Sequence, residues 1–150
     1  MLFRSVRDAV ATGYKNFLIL PGGFAEAGEA GKARDAELRE LIAKHDLIVA
    51  GPNCAGIIHL SEGKRFGATF LRDLPPGGGI ALISQSGAIA EEAIAAANRT
   101  PLALSTVVSV GNATQLGVED YLEYLGSDPR CTAVLLYIED RKSTRLNSSH

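Results

Sequence analysis

Two rhythms alternate along the chain. Phe17-Leu-Ile-Leu20, Leu47-Ile-Val-Ala50, Ile80-Ala-Leu-Ile83 and Ala133 to Ile138 are short apolar runs, and Leu104 to Val110, which includes Ser105, Thr106 and Ser109, is a further strand-like stretch. Runs of this length without polar alternation read as strands buried on both faces. Between them the spacing turns helical. Leu38, Leu41, Ile42 and His45 stand at i, i+3, i+4 and i+7, one face of a helix over about Ala33 to His45. Gly87 to Asn98 predicts an alanine-rich helix, and Val118, Tyr121, Leu122 and Leu125 mark another. Val6 and Val10 suggest a first helix ending at Gly13, a common residue just past a helix end. Such alternation predicts right-handed βαβ units and a parallel sheet covered on both faces. Gly51 to Arg72 reads as loop with short strands, and Pro75-Pro-Gly-Gly-Gly79 as a boundary.

Composition narrows the class. Of 150 residues, 46% are apolar and 21% charged, with a net charge of −2, which excludes a disordered chain. No apolar run approaches the roughly 18–20 residues that span a bilayer, and Arg4, Arg7 and Asp8 interrupt the start as no signal peptide would. The acidic balance, with Lys and Arg scattered, argues against a nucleic-acid partner. Two cysteines, Cys54 and Cys131, cannot build a disulfide framework and point to a reducing, cytoplasmic setting.

The last eleven residues, Asp140 to His150, are polar and aperiodic after an apolar strand. They resemble the in-frame translation of a common sequencing adapter and are expected to be a non-native tail, Asp140 alone being open to sharing with the natural sequence. Removing the tail's three basic and one acidic residues takes the net charge to −4.

Three loops carry candidate chemistry, each following a strand. Ile83-Ser84-Gln85-Ser86-Gly87-Ala88 turns a strand into a helix. The first N–H groups of a helix lack intrahelical partners and carry about half a positive charge, so phosphate is a natural guest. Serines that merely cap the helix explain the same pattern. Ser86 is not a hydrolase elbow, which needs glycine where Ser84 and Ala88 stand. Gly51-Pro-Asn-Cys-Ala-Gly56 offers Asn53 as donor and acceptor and two glycines for close backbone approach. Cys54 has no evident activating base and reads more readily as a buried thiol. Pro21-Gly-Gly-Phe-Ala-Glu26 leaves Glu26 to accept hydrogen bonds from a ligand, or is a plain surface turn. Gly31-Lys32 lacks the glycine and hydroxyl residue of a P-loop. His45, His59, Cys54 and Cys131 share no metal-ligand spacing, so no metal site is expected.

Together these loops are specific. Gly-Phe-Ala-Glu (23–26), Gly-Pro-Asn-Cys-Ala-Gly-Ile (51–57), Ile-Ser-Gln-Ser-Gly-Ala (83–88), Ser-Val-Gly-Asn-Ala (109–113) and Tyr-Ile-Glu (137–139) keep one family's order and spacing. Over residues 1 to 139 the chain resembles the NDP-forming acyl-CoA synthetases, relatives of the succinyl-CoA synthetase α subunit. The resemblance implies an α/β fold: residues 1–75 as the C-terminal half of a Rossmann-like CoA-binding domain, and 76–139 as the first part of a flavodoxin-like ligase domain. It implies an enzyme that joins a small carboxylic acid to coenzyme A with ATP and Mg2+. The route runs through acyl phosphate and phosphohistidine, with an ATP-grasp β domain or subunit as partner.

By position, Gly23, Ala25 and Glu26 would line the coenzyme A site, with Asn53 and Cys54 at its border. Ser84, Gln85, Ser86, Gly87 and Ala88 would face the phosphate carried by a catalytic histidine, which Glu139 would steady. That histidine is expected after Glu139, and the strand and glycine loop holding the coenzyme A phosphates before Met1, so this stretch is expected to be inactive alone. His45 and His59 fit no such motif. Glu91 stands where the succinate-specific branch carries tyrosine, pointing instead to the acetate or general acyl branch. The alternative is a non-catalytic CoA-binding regulatory module, as in related protein lysine acetyltransferases, which a degenerate downstream histidine motif would mark.

Overall fold

A computed structural model describes residues 2–60 and 65–139; the tail expected over 140–150 lies outside the described residues. Helix α1 (Leu2–Ala11) buries Val6 and ends before Gly13, which takes the left-handed conformation (φ +96°) predicted for it. Strand β1 (Asn16–Leu18) pairs in parallel with β2 (Ile48–Ala50), Phe17 opposite Val49. The crossover between them is helix α2 (Gly28–His45). It begins five residues before the apolar spacing predicts, because its first turn packs through Gly31 rather than through a large side chain. A methyl group on Gly31 would lie 1.9 Å from the Phe24 carbonyl oxygen. Val6, Ile19, Phe24, Leu38, Leu47 and Val49 form the core of this half.

Five further strands form a second sheet: β3 (Gly56–His59), β4 (Phe66–Thr69), β5 (Gly77–Ser84), β6 (Leu104–Ser109) and β7 (Ala133–Tyr137), in the order β4-β3-β6-β5-β7. Helix α3 (Gly87–Ala97) buries Ala90, Ile94 and Ala97 on one face, beside Leu82 and Val107. Helix α4 (Val118–Gly126) closes the other face with Leu125, beside Ile83 and Val108. Every residue of β6 is buried, although Ser105, Thr106 and Ser109 interrupt its apolar run. Burial on both faces fails for β7, which lies at the sheet edge with Leu135 and Leu136 44% and 47% exposed. The five strands read from apolar runs are parallel to their neighbours among themselves: β1 with β2, and β5 with both β6 and β7.

The expectation of parallel pairing throughout fails at one edge. β3 runs antiparallel to both β4 and β6, so the second sheet is mixed. A parallel neighbour needs a crossover of a dozen or more residues, and only 60–65 separate β3 from β4. The hairpin precedes Pro75 in the chain yet pairs with strands that follow it.

Residues 111–116, after β6, stitch the two sheets together. Thr114 Oγ1 donates to the buried carboxylate of Asp35 at 2.6 Å, and Arg39 reaches the other carboxylate oxygen at 2.8 Å and the Thr114 carbonyl at 2.8 Å. Both polar atoms of the Gln115 amide bond β2: Oε1 accepts from Val49 N at 2.6 Å and Nε2 donates to Leu47 O at 2.8 Å. Leu116 N donates to Val49 O alongside. Among the described residues, no helix is long and apolar enough to cross a membrane.

Candidate functional site

The parallel strands deliver their carboxyl ends toward this seam, where ligands of open α/β sheets collect. The loop after β2 and the loop after β6 touch backbone to backbone. Asn112 N donates to Pro52 O at 2.9 Å and Thr114 N to Gly51 O at 3.1 Å. Gly111 (φ +61°) has to be glycine here, since a methyl group would lie 2.3 Å from Pro52 O. Ala55 N donates to the buried Ser109 Oγ at 2.9 Å, and Gly87 packs on Ala55, whose Cβ a methyl group at 87 would meet at 3.2 Å.

These approaches leave a cleft of about 410 Å³ lined by Leu20, Pro21, Gly22, Asn53, Cys54, Ala55, Phe70, Gln85 and Gly87. Its volume falls within the roughly 300–1,000 Å³ of small-molecule sites. Of the residues singled out from sequence, Asn53, Cys54, Gln85 and Gly87 line it. Gly23, Ala25, Glu26, Ser84, Ser86, Ala88 and Glu139 stand outside its lining. Leu20, Pro21, Gly22, Ala55 and Phe70 were not singled out. Phe70 carries a legible signal in retrospect: a large apolar side chain, 66% exposed, at the end of the hairpin.

Each predicted residue has a distinct local role. Ser84 is fully buried and spends its hydroxyl on the turn, donating to Ser86 O at 2.7 Å and accepting from Ser86 N at 3.1 Å. Ser86 caps α3, accepting from Ile89 N at 3.4 Å. The N–H groups of Gly87 and Ala88 occupy the first two helical positions, which have no intrahelical acceptor. Gln85 ties this turn to the end of β7: its N donates to Tyr137 O, and its Oε1 accepts from Glu139 N at 2.7 Å. Glu139 thus stands beside the start of α3.

Glu26 departs from expectation. Rather than leaving acceptors for a ligand, Oε1 takes the N–H groups of Gly23 and Phe24, and Oε2 takes the side-chain amide of Asn112. Partial burial raises its pKa, but the Asn112, Gly23 and Phe24 hydrogen bonds outweigh that and leave it below the ordinary range. Gly23, in the left-handed region at φ +98°, presents its carbonyl to Arg34 Nε at 2.6 Å, and Ala25 is exposed in the same turn. Cys54 is 4% exposed, with Sγ 3.5 Å from Ile19 O. Burial pushes its thiol up, against an opposing hydrogen bond from the Gly56 backbone, so it is a poor nucleophile.

An α/β molecule whose parallel strands bring their carboxyl ends to one cleft, with a helix beginning at its rim, has the arrangement at which open α/β sheets commonly receive ligands. Comparison with known proteins sharpens the class. Residues 77–147 match the succinyl-CoA ligase like flavodoxin domain. The chain is 34% identical over 126 residues to an ADP-forming 4-hydroxybutyrate–CoA ligase of Nitrosopumilus maritimus, covering 84% of this chain and 18% of that protein. It is 36% identical over 133 residues to the α subunit of ADP-forming acetate–CoA ligase II of Pyrococcus furiosus, covering 89% and 28%. Among solved structures, acetyl-coenzyme A synthetase 1 of Ca. Korarchaeum cryptofilum, in complex with phosphate and ADP, superimposes with a TM-score of 0.85 at 28% identity, over 96% of this chain and 30% of that one. Most of the chain is thus similar to ADP-forming acyl-CoA ligases, and residues 77–147 to the flavodoxin-like domain of succinyl-CoA ligase. The chain spans less than a third of the length of each of these relatives.

Proposed function

We propose that the cleft takes coenzyme A and that the start of α3 takes a phosphoryl group, as parts of a longer acid–CoA ligase that consumes ATP. One observation carries this reading. The loops after β1, β2 and β5 line one cleft, at whose rim α3 begins with the N–H groups of Gly87 and Ala88, for which the helix supplies no acceptor. The cleft suits the narrow, amide-bearing arm of coenzyme A: Leu20, Pro21 and Phe70 supply apolar wall, and Asn53 and Gln85, held in place by their own hydrogen bonds, supply polar wall. Residues 1–75 are then the remainder of a CoA-binding domain, and 76–139 the opening of the ligase domain. Glu139, fixed at the end of β7 by Gln85, would orient a histidine supplied from elsewhere in the longer protein. The reaction runs through acyl phosphate and phosphohistidine, with ATP, ADP and Mg2+ held by an ATP-grasp domain or subunit. A cytoplasmic setting agrees with two unpaired cysteines.

Calorimetric titration of coenzyme A into the longer protein tests the cleft. Saturable binding, weakened about tenfold or more by Asn53→Ala through the loss of a polar wall, is the expected result. No saturable heat, or affinity indifferent to position 53, sinks the reading. In the longer protein, a degenerate histidine motif with coenzyme A binding retained would favour the regulatory module instead.

A further inference from the structure

Asn112 lies within a motif that the reading above leaves without a role, on the loop after β6. We propose that it is a positioning residue for the coenzyme A cleft, locking Asn53 and Glu26 to one another across the seam between the two sheets. This rests on the reading that the cleft takes coenzyme A and adds to it a residue that stands outside the cleft lining.

Three bonds converge on this one residue. Its Nδ2 donates to Glu26 Oε2, its Oδ1 accepts from Asn53 Nδ2 at 3.1 Å, and its backbone N donates to Pro52 O at 2.9 Å. Both ends of the amide are used, one as donor and one as acceptor. A carboxylate at 112 would lose the donor and face Glu26 with a like charge, an apolar side chain would lose both bonds, and a glutamine would overreach by one methylene. The backbone is held to the task as well. Asn53 and Ala113 both sit in the left-handed region, at φ +57° and +50°, beside Gly111 at +61°. Non-glycine residues persist there only where their surroundings fix them.

The bridge has a clear path to the cleft. Asn53 is a wall residue, so releasing its amide frees that wall. Glu26 gathers the N–H groups of Gly23 and Phe24, so the loop after β1 follows wherever Glu26 goes. Gly22 is coupled in turn, since a methyl group on it would meet Asn53 Oδ1 and Glu26 Oε1 at 2.9 Å each. Asn112 therefore sets the spacing of two cleft-forming loops from a third. Because Glu26 and Asn53 are exposed, the effect falls on ligand affinity more than on folding.

The experiment is a titration of coenzyme A into the longer protein and three variants of it, with urea unfolding run on each. Asn112→Asp is expected to weaken binding by at least about tenfold and Asn112→Leu by about tenfold, with unfolding midpoints little changed. The decisive variant pairs Asn112→Asp with Glu26→Gln. The glutamine amide then donates to the new carboxylate, its oxygen still accepts from Gly23 and Phe24, and the other carboxylate oxygen still takes Asn53. Affinity should return to within about threefold of the parent, which loss of general packing would not allow. Parent protein that binds coenzyme A while Asn112→Asp binds it equally well overturns the role of Asn112 alone, as does a double variant no better than the single. Parent protein that binds none overturns the cleft reading and this proposal with it.

Discussion

The loop after β1 and the turn after β5 both follow a strand, both contain glycine, and both offer hydrogen-bonding groups at the same seam. In the first, the group on offer is the Glu26 carboxylate, and protein donors take both of its oxygens. In the second, the serine hydroxyls are taken in the same way, while the backbone N–H groups of Gly87 and Ala88 find no acceptor within their own helix. A side chain can swing inward to satisfy its neighbours. The first N–H groups of a helix cannot, because the helix that orients them supplies no acceptor. In the proposed site, backbone at one loop would therefore face the ligand, while side chains at the other build the frame.

The largest test breaks the frame itself. Gly111→Ala puts a methyl group 2.3 Å from Pro52 O and 2.5 Å from Asn53 O, at a positive φ. Strain and overpacking together should cost about 3 kcal/mol, read as a lower urea midpoint. An unchanged midpoint would show that the two loops are free to part.

Next in size is Ala88→Asp. Position 88 is exposed, so the change meets no steric barrier. A carboxylate in the first turn should stabilise α3 by about 0.3–1 kcal/mol while repelling a bound anion. Stability and phosphate affinity should thus move in opposite directions, the latter falling by about tenfold in a calorimetric titration. Equal phosphate affinity would mean that the turn only caps a helix.

A smaller effect separates the loops by pH. The folded-state pKa of Glu26 is lowered, so its stabilisation is fully present above the unfolded value of about 4.3 and is lost as pH falls through the folded value. Because Glu26 is exposed, the loss should stay below about 1 kcal/mol. Hydrogen exchange at Gly23 and Phe24, measured relative to the intrinsic rate, should lose protection on acidification, while Ile94 in α3 keeps its own. Smallest of all, Cys131, which is half-buried, should be alkylated before Cys54 at pH 8. The reverse order would revive Cys54 as a reactive group.

The apolar runs made the parallel strands legible, most plainly Ile80 to Ile83, whose central residues are buried. Burial is not the whole reason, since β7 keeps an apolar run while standing exposed at the sheet edge. The start of α2 was not legible, since Gly31 packs without an apolar side chain to show the period. Nor was the direction of β3, which depends on connection length and on a partner, β6, far along the chain. At the cleft, Asn53 and Gln85 could be read because motif residues sit at strand ends. The engagement of Glu26 could not, because Asn112 lies 86 positions away and nothing local announces the pair.

Gln115 has a consequence beyond the seam. A two-stranded sheet has two open edges, and an open edge of a strand as apolar as Ile48-Val49-Ala50 is a template on which another chain can pair. By bonding Val49 N and Leu47 O, a single side-chain amide imitates the peptide unit of a third strand and blocks that template. Leu116 N, on Val49 O, completes the imitation. The β2 edge of the first sheet is thus guarded against edge-to-edge pairing by a residue from the loop that leaves the second.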